Sequence, residues 1–267
     1  MPEATFYWIV LACWLGFALL TVPVLMWISA PYGRHMREGW GPRIPRWLGW
    51  VLMESPALWV FALAASLGVA AGPSLSSTSA SPRWQSTPTL LLSGMYLGHY
   101  VYRALIYPFR LRGGNALMPA SVAGFALLFN LVNGYLQGRW LHVLGPVYPD
   151  GWLGDPRFLI GASLWAIGLA INLHADEVLL RLRKPGERGY TIPNGGLYRF
   201  VSCPNYLGEL VEWSGYALAC WSLPGAAFAI WVAANLLPRA RAHHAWYHET
   251  FGDGYPAERR AVIPFLL

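Results

Sequence analysis

The chain has 267 residues, 55% of them hydrophobic and only 12% charged, with a mean hydropathy of +0.37 and a formal net charge of +6. This balance excludes an ordinary water-soluble domain and places the chain in a bilayer. The positive charge is no sign of nucleic-acid binding, because the Arg residues are scattered through loops of an apolar chain and form no polar basic cluster.

Apolar runs near the roughly 20 residues needed to cross a bilayer recur from end to end. They predict seven membrane spans, at residues 5–29, 49–72, 88–109, 117–138, 157–180, 204–222 and 224–248, in one polytopic all-α domain over residues 1–267. A β-barrel would alternate in segments of about ten residues, whereas Ile9 to Leu25 is apolar on every face. The first span follows Met1-Pro2-Glu3-Ala4, which lacks the basic start of a signal peptide, so it is expected to remain as a membrane helix. The segment 71–82 is small and polar and reads as a flexible connector. Between the last two spans, Trp221-Ser222-Leu223-Pro224 makes a very short turn, since Pro cannot continue one helix and suits the start of the next. Those two helices must be antiparallel neighbours.

Basic residues gather in alternate loops: Arg34, Arg37, Arg43 and Arg46, then Arg110 and Arg112, then Arg181, Arg183, Lys184, Arg188 and Arg199, and finally Arg259 and Arg260 in the tail. The intervening loops carry Arg83, and Arg139 with Arg157. The positive-inside rule therefore puts the N-terminus outside and the C-terminus in the cytoplasm. Cys13, Cys203 and Cys220 show neither CxxC nor Cys/His ligand spacing, so neither a structural disulfide nor a zinc site is inferred. No internal repeat is visible, which removes the usual sign of a transporter built from duplicated halves.

Ionisable groups inside apolar helices are site candidates by default, because burying them in lipid is costly unless they pair or face a polar cavity. Glu54 is the only acid of the second span. In the third, Tyr100 and Arg103 lie one turn apart; a phenol and a carboxylate together can polarise a carbonyl oxygen. On the fifth, Asn172 and Asp176 share a face, with Arg183 about two turns on. That set reads either as a polar helix end or as a nucleotide pocket, the amide and carboxylate for ribose or amide groups and the Arg for phosphate. The Gly195-Gly196 turn leads into a helix that carries Asn205 and Glu209 on one face with Glu212 close by, and Arg239 and His243 of the antiparallel helix are expected to compensate these carboxylates. Arg239, His243 and Tyr247 form a stripe, while His244 and His248 formally allow a metal but lack a clear third ligand. No GxGxxG loop is present, which excludes a Rossmann site.

With these residues in order, the chain resembles the steroid 5α-reductases (3-oxo-5α-steroid 4-dehydrogenases). The similarity is carried by Arg183-Lys184-Pro185-Gly186-Glu187, Ile192-Pro193, Gly195-Gly196-Leu197, Asn205 through Glu209, Glu212-Trp213, Gly215 to Ala219, Trp221-Ser222-Leu223-Pro224, Arg239-Ala240, His243-His244, Tyr247 and Ile263-Pro264-Phe265. Tyr32-Gly33-Arg34-His35, Glu54 and His99-Tyr100 with Arg103 extend it into the N-terminal half. The resemblance implies a seven-helix bundle that holds NADPH at Arg103, Tyr107, Asn172, Asp176, Arg183, Asn205, Glu209, Arg239, His243 and Tyr247, mostly in the part after residue 117. It also implies catalytic roles for Glu54 and Tyr100 at the C3 oxygen of a 3-oxo-Δ4 steroid, with hydride to C5, a proton to C4, and no metal. Met53 departs from the Gln usual in the family.

The rivals are a reductase of another lipid alkene (a sterol, polyprenol or enoyl thioester), a membrane methyltransferase, and a lipid-binding or transport protein. The chain is expected to act as a monomer on a small lipid substrate without nucleic acid. Lys184 is the only lysine against many arginines, which hints at a bacterial source and the inner membrane; otherwise the endoplasmic reticulum is expected.

Overall fold

A computed structural model describes residues 1–70, 86–111, 116–182 and 189–267. The connector at 71–82 and Arg183 lie outside the described residues. Each expected span contains a helix: α1 (Glu3–Trp27), α2 (Arg46–Ala70), α3 (Thr87–Val101) running through a π-turn at Tyr102–Ile106 into α4 (Tyr107–Arg110), α5 (Ala120–Arg139), α6 (Pro156–Leu182), α7 (Pro204–Cys220) and α8 (Leu223–Phe251). Three stretches, Glu3–Trp27, Arg46–Leu67 and Pro156–Leu182, are long and apolar enough by themselves to cross a membrane. On α1, Phe17, Leu19 and Leu20 each keep more than 60% of their surface exposed, a face suited to lipid rather than water. Others fall short by length: α3 has 15 residues and α7 has 17.

The helices begin and end where local chemistry allows. Ser222 is the N-cap of α8 and its hydroxyl accepts a hydrogen bond from the Gly225 amide. One residue earlier, Trp221 closes α7 in the left-handed region at φ 44°, so the turn expected at Trp221-Ser222-Leu223-Pro224 is present and α7 packs antiparallel to α8. The helix of the fourth expected span, α5, starts three residues later than expected. Leu117–Pro119 instead pairs antiparallel with Arg43–Pro45, as strands β2 and β1, in the register Arg43 to Pro119, Ile44 to Met118 and Pro45 to Leu117. Pro119 disfavours helical geometry in the residue before it, which holds Met118 extended.

Contact between α6 and α7 fixes the site. A methyl group added to Gly168 would lie 2.3 Å from the Glu212 amide nitrogen, and one on Gly208 would lie 2.5 Å from that of Asn172. Gly161 and Gly215 meet the opposite backbone as closely. Glycine at these positions lets two helices touch backbone to backbone, the small-residue packing common in membranes. Side chains beside the seam, Asn172 on α6 and Glu209 on α7, are thereby brought within hydrogen-bonding distance.

The core lies between α1, α3, α7 and α8, where Tyr7, Tyr96, Trp213, Tyr216 and Phe228 are fully or almost fully buried. The Trp213 and Phe228 rings sit 4.4 Å apart, and Tyr96 packs at 4.8 Å from both Phe61 and Tyr100.

Candidate active site

Two polar clusters share α7 as a wall. In the first, the π-turn carries Arg103 inward, and its guanidinium sits among three carboxylates: Asp176 at 3.2 Å, Glu54 at 3.9 Å and Glu209 at 3.9 Å. Its faces rest on the rings of Trp50 at 4.5 Å and Tyr107 at 4.9 Å. A planar delocalised cation suits this place, since it can pair at its edge and stack on its face. Asn172 donates to the Asn205 carbonyl at 3.1 Å and to the Glu209 carboxylate at 3.2 Å. Six sequence-predicted residues, Glu54, Arg103, Tyr107, Asn172, Asp176 and Glu209, therefore converge, and Asn205 joins them through its backbone.

Tyr100 adjoins this cluster and is held from α5. Asn133, fully buried, donates to the Tyr100 hydroxyl at 3.0 Å and to the Tyr96 hydroxyl at 3.1 Å. One turn earlier, Asn130 donates to the Met53 carbonyl at 2.6 Å and to the Glu54 carboxylate at 3.3 Å. An amide that donates to a phenol oxygen leaves the phenol proton available for another acceptor. The sequence alone gives these two asparagines no role, although polar residues at helical spacing in an apolar span are the signal that marks them.

The second cluster surrounds the stripe on α8. Tyr206 links its members: its hydroxyl meets His243 Nε2 at 3.0 Å and accepts from Arg239 at 3.3 Å. The loop after α1 lies across the stripe. His35 Nε2 bonds to His243 Nδ1 at 2.9 Å with the rings stacked, Arg34 donates to the Tyr247 hydroxyl at 3.1 Å and covers its ring, and Tyr32 lies under the Arg239 guanidinium at 4.7 Å. A small cavity lined by Ser29, Tyr32, His35, Arg239 and His243 remains beside them. His35 is held below its ordinary pKa, mainly because burial disfavours the charged ring and further because Arg34 and Arg37 repel a proton. The sequence alone assigns no site role to Arg34, His35 or Tyr206.

The expected compensation of Glu209 and Glu212 by Arg239 and His243 is not what the structure contains. Glu209 faces Arg103 and Asn172, while Glu212, fully buried, pairs with His99 Nδ1 at 2.7 Å. Geometry explains the difference: counting back from the turn at Trp221, Arg239 draws level with Tyr206, one turn beyond Glu209, and so meets the phenol instead of either acid. His244 and His248 are in ring contact at 4.6 Å, and His244 bonds to Ser202.

The donor set fits a dinucleotide. Among the described residues Arg34 and Arg239 have tyrosine rather than carboxylate partners, a combination suited to phosphate, and Arg34 Nη1 is buried without a partner. At the other end, the Asn172 Oδ1 acceptor is buried and unpaired beside the carboxylates, a combination suited to amide and hydroxyl groups.

A family model described as 3-oxo-5-alpha-steroid 4-dehydrogenase matches residues 116–267. The chain is 45% identical over 257 residues to 3-oxo-5-alpha-steroid 4-dehydrogenase 1 of Bos taurus, covering 96% of this chain and 95% of that protein. It is 42% identical over 260 residues to a steroid 5-alpha-reductase of Gossypium hirsutum, covering 95% and 96% respectively. Against 3-oxo-5-alpha-steroid 4-dehydrogenase 1 of Homo sapiens the identity is 46% over 238 residues, 89% of this chain and 86% of that one.

Proposed function

Because the chain belongs to the 3-oxo-5-alpha-steroid 4-dehydrogenase family, we propose that it reduces the Δ4 double bond of 3-oxo-Δ4 steroids to 5α-dihydro-3-oxosteroids, with NADPH as the reductant. It is an oxidoreductase acting on CH–CH bonds. The protein is a membrane protein; in our reading it crosses the bilayer seven times, with the N-terminus outside and the C-terminus in the cytoplasm.

When bound, NADPH supplies the hydride that reaches C5. Arg34, Arg239, His243 and Tyr247 would hold its phosphates, and Arg103, Tyr107, Asn172, Asp176, Asn205 and Glu209 its ribose and carboxamide end, with Arg183 as a further phosphate contact. The Tyr100 hydroxyl donates to the C3 carbonyl oxygen. Its own oxygen already accepts from Asn133, so its proton is free to turn from the neighbouring Tyr96 hydroxyl to the substrate. The Glu54 carboxyl group, held in place by Asn130 and Arg103, gives the second donor when it carries a proton. Negative charge arriving on the C3 oxygen is thus met by fixed donors in a dry site, which lowers the barrier to hydride addition at the far end of the enone. A proton added at C4 completes the reduction.

The observation that carries this reading is the asparagine ladder of α5, which holds a phenol and a carboxyl side by side against the Arg103 cluster. The test is product analysis: purified protein, NADPH and a 3-oxo-Δ4 steroid should give the 5α-dihydro product. Turnover of a sterol, a polyprenol or an enoyl thioester but not of the enone steroid would reject the substrate assignment.

A further inference from the structure

On the outward flank of α6 a groove of about 650 Å³ opens away from the site, between that helix and the segment from Gly196 to Pro204. Its walls are apolar for most of their length: Ile167, Ala170 and Ile171 from α6, and Leu197, Phe200 and Pro204 opposite. Ile167 is 53% exposed, and α6 is one of the helices apolar enough to cross the bilayer, so this flank faces lipid. The stripe then changes character. One turn past Ala170 comes His174, and Arg199, on the same short turn (Gly196–Arg199) whose Gly196 meets that imidazole, also lines the groove.

This end is built rather than accidental. The His174 ring is seated on Gly196, where an added methyl would lie 2.4 Å from the imidazole; Gly196 also has φ +50°, a conformation that glycine accepts readily. The Phe200 carbonyl accepts from the backbone amide of Arg260, which brings a second guanidinium-bearing residue beside Arg199. Neither Arg199 nor Arg260 is paired with a carboxylate among the described residues. Phe265 packs on Phe200 at 5.8 Å and is itself 81% exposed, as suits a side chain at the level of lipid headgroups.

An apolar trough about 10 Å long from Ile167 to His174, ending at cationic groups where an apolar span turns polar, has the polarity order of one molecule: an acyl chain and then an anionic headgroup. We propose that this groove is a binding site for an anionic glycerophospholipid, its chain along Ile167, Ala170 and Ile171 and its phosphate between His174 and Arg199, with Arg260 adding to the positive field. The site is separate from the polar clusters, and it rests on the groove and its charges and not on the reductase reading.

Native mass spectrometry of detergent-purified protein, offered phosphatidylglycerol and phosphatidylcholine with identical acyl chains, tests it. Phosphatidylglycerol should be retained preferentially. Each basic residue near an anionic headgroup contributes about 1 kcal/mol, so Arg199→Gln should lower that retention about fivefold, while Arg199→Lys should keep it. Ala170→Trp, which fills the trough, should remove the adduct without loss of the folded protein on size-exclusion chromatography. Equal retention of both lipids, insensitivity to Arg199→Gln, or displacement of phosphatidylglycerol by inorganic phosphate or by a 3-oxo-Δ4 steroid would overturn the proposal.

Discussion

Replacing Tyr100 by Phe removes a single oxygen from the proposed oxyanion site and leaves the ring packing of Tyr96 and Trp213 in place. Asn133 loses one acceptor at 3.0 Å but keeps the Tyr96 hydroxyl at 3.1 Å, so the amide is not stranded and the loss of stability should be about 0.5–1.5 kcal/mol. Catalysis should suffer far more. Loss of one fixed donor to a developing oxyanion costs about 2.7–4 kcal/mol, a fall of about 10²–10³ in turnover. Affinity for NADPH should change little, because among the described residues no hydrogen bond joins the lost hydroxyl to Arg103, Asn172 or Glu209. The assay is single-turnover oxidation of NADPH by enzyme saturated with a 3-oxo-Δ4 steroid, with the dinucleotide dissociation constant measured separately. A Tyr100→Phe enzyme that keeps its rate within about threefold, a barrier change below about 1 kcal/mol, would refute the role given to that phenol.

Packing and charge lead to further expectations. Gly168→Val should drive a side chain into the backbone of α7 at Glu212 and destabilise the fold by about 1–3 kcal/mol or more, whereas Gly124→Ala, which meets nothing within 4 Å, should be neutral or stabilising; thermal melts of the two variants compare them. His99→Leu strands Glu212 and should cost about 3–5 kcal/mol, and His99→Leu with Glu212→Leu should recover much of that loss in the same melts. The loop after α1 should loosen in acid. The folded-state pKa of His35 is depressed, so its contribution is present above the ordinary imidazole value of 6.5 and is lost as pH falls through the lower folded value. Protection factors at residues 32–36, which are exchange rates corrected for the intrinsic slowing of exchange in acid, should accordingly fall as pH drops from about 7.5 to about 5 in the natural protein and change less in His35→Phe.

The long helices α1, α2 and α6 are readable from the sequence because apolar runs of bilayer length have few alternatives, and the α7–α8 turn is readable because Pro224 and Ser222 act locally. The strands β1 and β2 escape notice: three residues each, they pair across more than 70 positions of chain, and no periodicity shows in so short a segment. Within the site, residues that share one helix face are found easily, as Asn172 with Asp176 and Arg239 with His243 show. Partners on different helices are harder. That Glu212 turns to His99, and that Asn133 serves two phenols on α3, depend on how helices distant in sequence rotate against one another. The stacking of His35 on His243 is likewise invisible in a loop whose Arg residues read as a topology signal.

Most of the functional reading rests on both polar clusters gripping one dinucleotide, and thermal stabilisation by NADPH measures that directly. At 100 times its dissociation constant the cofactor should stabilise the folded protein by about 2.7 kcal/mol, a rise in melting temperature of about 5–10 °C. That rise should shrink in Asn172→Ala at one end and in Arg239→Gln at the other. No shift with NADPH, or a shift that survives both substitutions unchanged, would contradict the assignment of this site.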